Sequence, residues 1–251
     1  MAALISALAA LVPLGAHAQD FPKLTGHVTD AAAILPADIE QRLSKKLEAL
    51  EQQSQRQLVI ATIPDLQGYD ISDYGYRLGR EWGIGDAKRN DGALLIVAPN
   101  ERKVRIEVGY GLEPVLTDGL SFLIINEHIL ARFKQGDMPG GIEAGTDAIV
   151  TQLTLPPEQA QKAAAQAQQI FDKSNNGSIV PLLFFAFFVF FFFILPIFRS
   201  FGGKRRHHGL NSSPIVWLPG GFGSGSSGGG FSGGFSGGGG SFGGGGASGG
   251  W

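Results

Sequence analysis

Five carboxylates stand beside glycines and turn residues in the first half of this chain. Asp30 lies in VTDAAAILP, Asp86 and Asp91 lie in GDAKRNDG, and Glu113 and Asp118 follow Gly109-Tyr110-Gly111. Carboxylates next to glycines, whose carbonyls stay accessible, are the ligand set of hard divalent cations such as Ca²⁺ or Mg²⁺. The spacing is not that of an EF-hand loop. The same residue types also serve as turn residues and helix caps, Asp118 for the helix after it and Asp30 for a turn. From residue types alone both readings stand. Other chemistries are poorly served. Gly109-Tyr110-Gly111-Leu112-Glu113-Pro114 opens like a dinucleotide fingerprint but carries Pro where the third Gly belongs, and it leaves a strand without opening a helix. The GxSxG matches in the C-terminal region arise only because nearly everything there is Gly. His27 and His128 are too few for a zinc cluster, and His27, near Asp30, reads as a surface histidine without special role.

The elements that must position these carboxylates centre on Asn90–Asp118. Ala93 to Ala98 is a continuous apolar run, the mark of a strand covered on both faces. Val104, Ile106 and Val108 alternate with Lys103, Arg105 and Glu107, which predicts a half-buried or edge strand. Pro99, Asn100 and Glu101 supply the turn, so the pair forms an antiparallel hairpin. Asp91 enters the first strand at the sheet end where Gly109, Tyr110, Gly111 and Glu113 leave the second. Function is expected there.

Around the hairpin, Ile39, Leu43, Leu47 and Leu50 mark a helix begun by Pro36. Leu58 to Ile63 reads as a strand, and Asp70 to Trp82 as a helix closed by Gly83. Gly119–Lys134 and Pro139–Leu153 read as two more helices. This order predicts an α/β three-layer sandwich (α/β/α) with a mixed sheet, whose strand–helix–strand unit crosses over parallel. Pro156-Pro157 ends the domain, and Glu158 to Gln169 forms a helical extension before the linker Ser174–Ser178.

The remaining segments speak of a membrane. Met1–Ala18 is apolar and ends in Ala16-His17-Ala18, as a signal peptide does, although no Lys or Arg precedes its apolar core. Zero cysteines fit an exported domain that relies on its core. Ile179–Phe198 is an unbroken apolar run, long enough to span about 30 Å of hydrocarbon. Arg199, Lys204, Arg205 and Arg206 follow it, which places the C-terminus in the cytoplasm and the domain in the periplasm, on a single-pass inner-membrane protein. All 22 acidic residues precede that run, and this acidity excludes nucleic acid as a partner. Pro219–Trp251 is Gly and Ser punctuated by Phe and is expected to be disordered, either inert or making weak multivalent contacts.

NDGALLIVAPNERKVRIEVGYGLEPVLTD resembles the signature of the TPM-domain family, known from thylakoid-lumen and bacterial membrane-anchored proteins. VTDAAAILP and REWGIGDAKRNDG resemble that family's other two motifs, in the same order, over roughly Phe21 to Leu153. The resemblance implies a divalent cation in a groove at the sheet end, with Asp30, Asp91 and Asp118 at the family's acidic positions. It implies a role in assembly or repair of membrane complexes, beside membrane proteins of LemA type, and it admits acid phosphatase activity. Three classes result: a membrane-anchored extracytoplasmic module that binds a cation and a protein partner, a metal-dependent acid phosphatase, and a purely structural envelope protein. The first is favoured, because an acidic groove without a basic clamp is a poor phosphate site.

Overall fold

The computed structural model describes residues 19–176 and 238–251. The expected signal peptide Met1–Ala18, the apolar run Ile179–Phe198 and the tail as far as Gly237 lie outside the described residues. Among the described residues no helix is long and apolar enough to cross a membrane.

The domain is a mixed α/β fold built on a five-stranded sheet, ordered β1-β2-β3-β4-β5. Strand β3 (Gly92–Ala98) is fully buried along its length, as its apolar run requires. On one side β2 (Gln57–Thr62) pairs with it in parallel, and β1 (Val28–Asp30), three residues that periodicity did not reveal, extends the parallel set. On the other side β4 (Lys103–Gly109) closes the expected antiparallel hairpin, with Leu95 opposite Ile106.

Two apolar clusters cover the sheet. Leu58, Ile60, Leu95, Val97, Ile106 and Val108 face α1 (Ala37–Ser54), the helical stretch after Thr117, and α5 (Met138–Thr154). Val59, Ala61, Leu94 and Ile96 point the other way, into α2 (Ile71–Trp82). Helix α2 begins where Asp70 accepts a hydrogen bond from Ser72 N–H and ends at Gly83 in the left-handed region. Its Gly75 lies so close to the sheet that an added Cβ would come within 2.6 Å of Ile96. Helix α1 starts one residue later than expected, with Pro36 at the cap. The Gly119–Lys134 helix is interrupted: α3 (Asp118–Leu123) runs into a π-helical stretch (Ile124–Leu130) and then α4 (Ala131–Phe133). Helix α6 (Pro157–Asn176) continues through Ser174–Asn176, where a linker was expected.

The larger correction concerns the C-terminus. Residues 242–250 are not disordered: they form β5 (Phe242–Gly250), antiparallel to β4. Lacking side chains, the glycine run carries no apolar pattern, and its partner β4 is far away in sequence. Two aromatic residues hold it. Phe242 is 1 % exposed in the α2-side cluster, and the Trp251 ring meets Phe133 edge-on at 4.5 Å. Strand β4 is therefore neither half-buried nor an edge. Arg105 and Glu107, on its α2 side, form a buried ion pair. Arg105 also donates to Ser248 Oγ at 2.9 Å and to the Gly244 carbonyl at 3.0 Å, so β5 supplies an acceptor to each of its terminal nitrogens. Burial pushes the Glu107 carboxyl up, against the pull of Arg105.

Two outcomes are expected in denaturant or pH unfolding of the full chain. Glu107→Leu leaves the guanidinium buried without its counter-charge and lowers stability by about 3–5 kcal/mol, whereas Arg105→Met with Glu107→Leu recovers most of that loss. A double variant no more stable than the single one would refute the pairing as its cause. Asp70 is held down to about 2, first by Ser72 and then by Lys103. Because the folded value lies below the ordinary one, its capping contribution is complete above pH about 4 and fades toward pH about 2. Asp70→Asn should flatten that acid limb and leave neutral stability within about 1 kcal/mol.

Candidate functional site

The sheet end holding Asp91 is built by three segments. The first is the turn between α2 and β3. Asn90 adopts a left-handed φ of 52°, and its side-chain oxygen accepts from Ser241 N–H at 2.8 Å. Asp91 is buried and accepts from Asp86 N–H at 3.0 Å and from Arg89 Nε at 2.6 Å. Asp86 accepts from the Lys88 and Arg89 N–H groups at 2.9 and 3.0 Å. Those donors, Arg89 first, hold its carboxyl below the usual range. Both aspartates thus spend their oxygens folding this turn.

The second segment leaves β4 at Gly109-Tyr110-Gly111. Gly111 N–H donates to the Asn90 carbonyl at 2.9 Å, and a Cβ at Gly109 would reach that carbonyl at 2.5 Å, so the chain crosses the turn only without side chains there. Tyr110 is 53 % exposed. Glu113 follows, also exposed, and Thr117 caps α3 by accepting from Leu120 N–H. Asp118, expected as the cap, is instead the first helical residue. Its Oδ1 accepts from Gly246 N–H at 2.7 Å, on the outer edge of β5.

The third segment went unseen in the sequence. Residues 238–241 lace the turn through Gly239 N–H to the Gly83 carbonyl at 2.6 Å and Gly240 N–H to Gly85 at 2.9 Å. Beyond Phe242, the β4–β5 register shifts at Val108/Gly109, which leaves Gly243 and Gly244 bulged beside Tyr110. A groove of about 510 Å³ opens there, lined by Glu113, Thr117, Asp118, Gln168 and Gly243–Gly245. The one signal that pointed to these residues was the pair of aromatics, Phe242 and Trp251, flanking an otherwise featureless run.

The five carboxylates do not converge. Asp30 pairs with Thr62 in register, and Thr62 with Val97, so Asp30 sits at the far end of the sheet from Asp91. Six residues of strand, at about 3.3 Å each, put roughly 20 Å between the two levels. There Asp30 accepts from the N–H groups of Ile34 and Leu35 at 3.1 and 2.9 Å and from the Thr62 hydroxyl, the work of a turn residue. Only Glu113 and Asp118 line the groove. Among the described residues no three His, Cys, Asp or Glu side chains gather as a metal ion would require. The residues present therefore do not fit the five-carboxylate cation site. His27 is not an idle surface residue: its Nε2 lies 2.6 Å from Glu51 Oε2, and its side chain is 12 % exposed.

Against known proteins, the sequence profile of the TPM domain matches residues 28–152. Solved structures similar to the chain include the N-terminal domain of a P. gingivalis protein, at 34 % identity over 51 % of this chain and 82 % of that one, with a TM-score of 0.48. Another is the N-terminal domain of a Corynebacterium glutamicum protein, at 16 % identity, 55 % and 88 % coverage and a TM-score of 0.42. A third is a protein of the psychrophilic bacterium Bizionia argentinensis, at 18 % identity, 52 % and 83 % coverage and a TM-score of 0.43. No curated protein matches the chain. The profile match runs from β1 into the last turn of α5 and takes in all three motifs, and through those residues the chain belongs to the TPM-domain family.

Proposed function

We propose that this protein is a membrane-tethered TPM module, exported to the far side of the membrane, whose sheet-end groove binds a positively charged segment of a partner protein. The groove carries the reading. It is open, about 510 Å³ in volume, and offers two exposed carboxylates, Glu113 and Asp118, beside the Gln168 amide. Gly243–Gly245 add no side chains to its floor, so a partner's backbone can come close. The nearby cations are engaged, Arg105 with Glu107 and Arg89 with Asp91 and Asp86. Its local field therefore favours a lysine, an arginine or a hydrated divalent cation shared with the partner, and disfavours a phosphate group. The exposed Tyr110 ring at the rim suits a contact residue.

A photo-crosslinking residue in place of Tyr110 tests this in cells producing the full chain. The expected outcome is one predominant crosslinked membrane or envelope protein, reduced at least tenfold in the Glu113→Gln/Asp118→Asn variant. Asn keeps the acceptor oxygen for Gly246 N–H while removing the charge, so the fold is retained. Crosslinking that ignores both substitutions would sink the groove as the binding surface. Aryl phosphate hydrolysis by the full chain that fell with Asp118→Asn would replace this reading with metal-dependent acid phosphatase activity.

A further inference from the structure

The fit between β4 and the C-terminal strand is specific, and it constrains where the C-terminus can be. Register runs from Lys103 opposite Gly250 to Val108 opposite Gly245, and Gly109 is then opposite Phe242. The two aromatic anchors sit on opposite faces of the sheet. Phe242 fills space left by Gly79, where a Cβ would come within 2.9 Å of its ring, and Trp251 packs on Phe133. Anchors on both faces prevent the strand from sliding, because a one-residue slip exchanges the faces. Between them, the glycines are required. A Cβ at Gly249 would come within 2.6 Å of Ile125 and 3.0 Å of Leu130, and Gly246 has a φ of +119° with the Ile106 carbonyl against it. Arg105 and Asp118 then add side-chain hydrogen bonds to the strand.

Paired strands lie about 4.8 Å apart. A bilayer core is about 30 Å thick. No sheet can be hydrogen-bonded across it. If Ile179–Phe198 were a lone span, as its length and the four basic residues after it suggest, β4 and β5 of one chain would face opposite compartments. The orienting effect of positive residues is a bias on insertion. A sheet pairing with an aromatic anchor on each face, Phe242 fully buried and Trp251 partly so, beside a buried ion pair, is a structural requirement.

We propose that residues 238–251 dock on the β4 edge of their own chain in the membrane-bound protein, so that the C-terminus lies on the same side of the membrane as the TPM domain. This departs from the cytoplasmic C-terminus expected from charge.

The absence of native cysteine makes the test direct. In full-length protein in its native membrane, Lys103→Cys with Gly250→Cys places two thiols directly opposite, at the separation a disulfide needs. Mild oxidation should then give an internal crosslink in the monomer, with complete loss of labelling by a maleimide. In a separate protein, one cysteine added after Trp251 should react with a membrane-impermeant maleimide from the same side as Lys45→Cys, an exposed position on α1. Thiols that both remain free, a disulfide joining two chains, or labelling of the two single cysteines from opposite sides would each overturn the proposal. The added-cysteine measurement leaves Gly250 intact, so it stands even if that substitution disturbs the strand.

Discussion

A charged pair in the middle of a sheet governs this domain. Arg105 and Glu107 lie on the α2 face of β4 and are 5 % and 0 % exposed. Removing two charges from water is costly unless their remaining hydrogen-bonding capacity is met. Part of what meets it here comes from β5, through Ser248 and the Gly244 carbonyl. Gly75 of α2 leaves room over the pair. Without the fifth strand, β4 would be an edge with a half-solvated ion pair and a row of unpaired backbone groups. With it, β4 becomes an interior strand, paired by residues more than 130 positions away.

The same strand shapes the groove. Tight pairing to the end of β4 would have brought β5 flush with the turn that carries Asp91. The register shift instead bulges Gly243 and Gly244 outward, and Asp118 takes the backbone N–H of Gly246. The two carboxylates facing solvent there, Glu113 and Asp118, come from the β4–α3 connection. Two other candidate ligands, Asp91 and Asp86, are consumed in holding the turn. A carboxylate next to glycines is read equally well as a ligand or as a fold-former. Counting its hydrogen bonds decides which it is.

Low-complexity composition usually argues for disorder, because glycine and serine bury too little apolar surface to repay ordering. That argument counts the segment's own side chains. Here the favourable energy lies mainly in the anchors at its two ends and in a preformed edge, while glycine is the residue that lets the backbone settle between Ile106, Ile125 and Leu130.

Apolar patterning with turn and cap residues determined the hairpin, α1, α2 and α5, and the crossover rule then gave the parallel β2–α2–β3 unit, since each is a local signal that a short window contains. Helical content after Thr117 was legible too, though not its π-helical stretch. The three motifs carried family membership. Tertiary structure decided the rest. Strand β1 is too short to show a period, and β5 is too rich in glycine to show one. Asp30 was separated from Asp91 by the parallel pairing of β1 with β2, which a linear sequence does not display. The role of each carboxylate depended on which N–H groups the fold aimed at it, and the burial of Arg105 and Glu107 depended on a partner strand at the other end of the chain. Local pattern specifies elements. Which faces and ends meet is set by pairings between residues distant in sequence, and those appear only when the chain is folded.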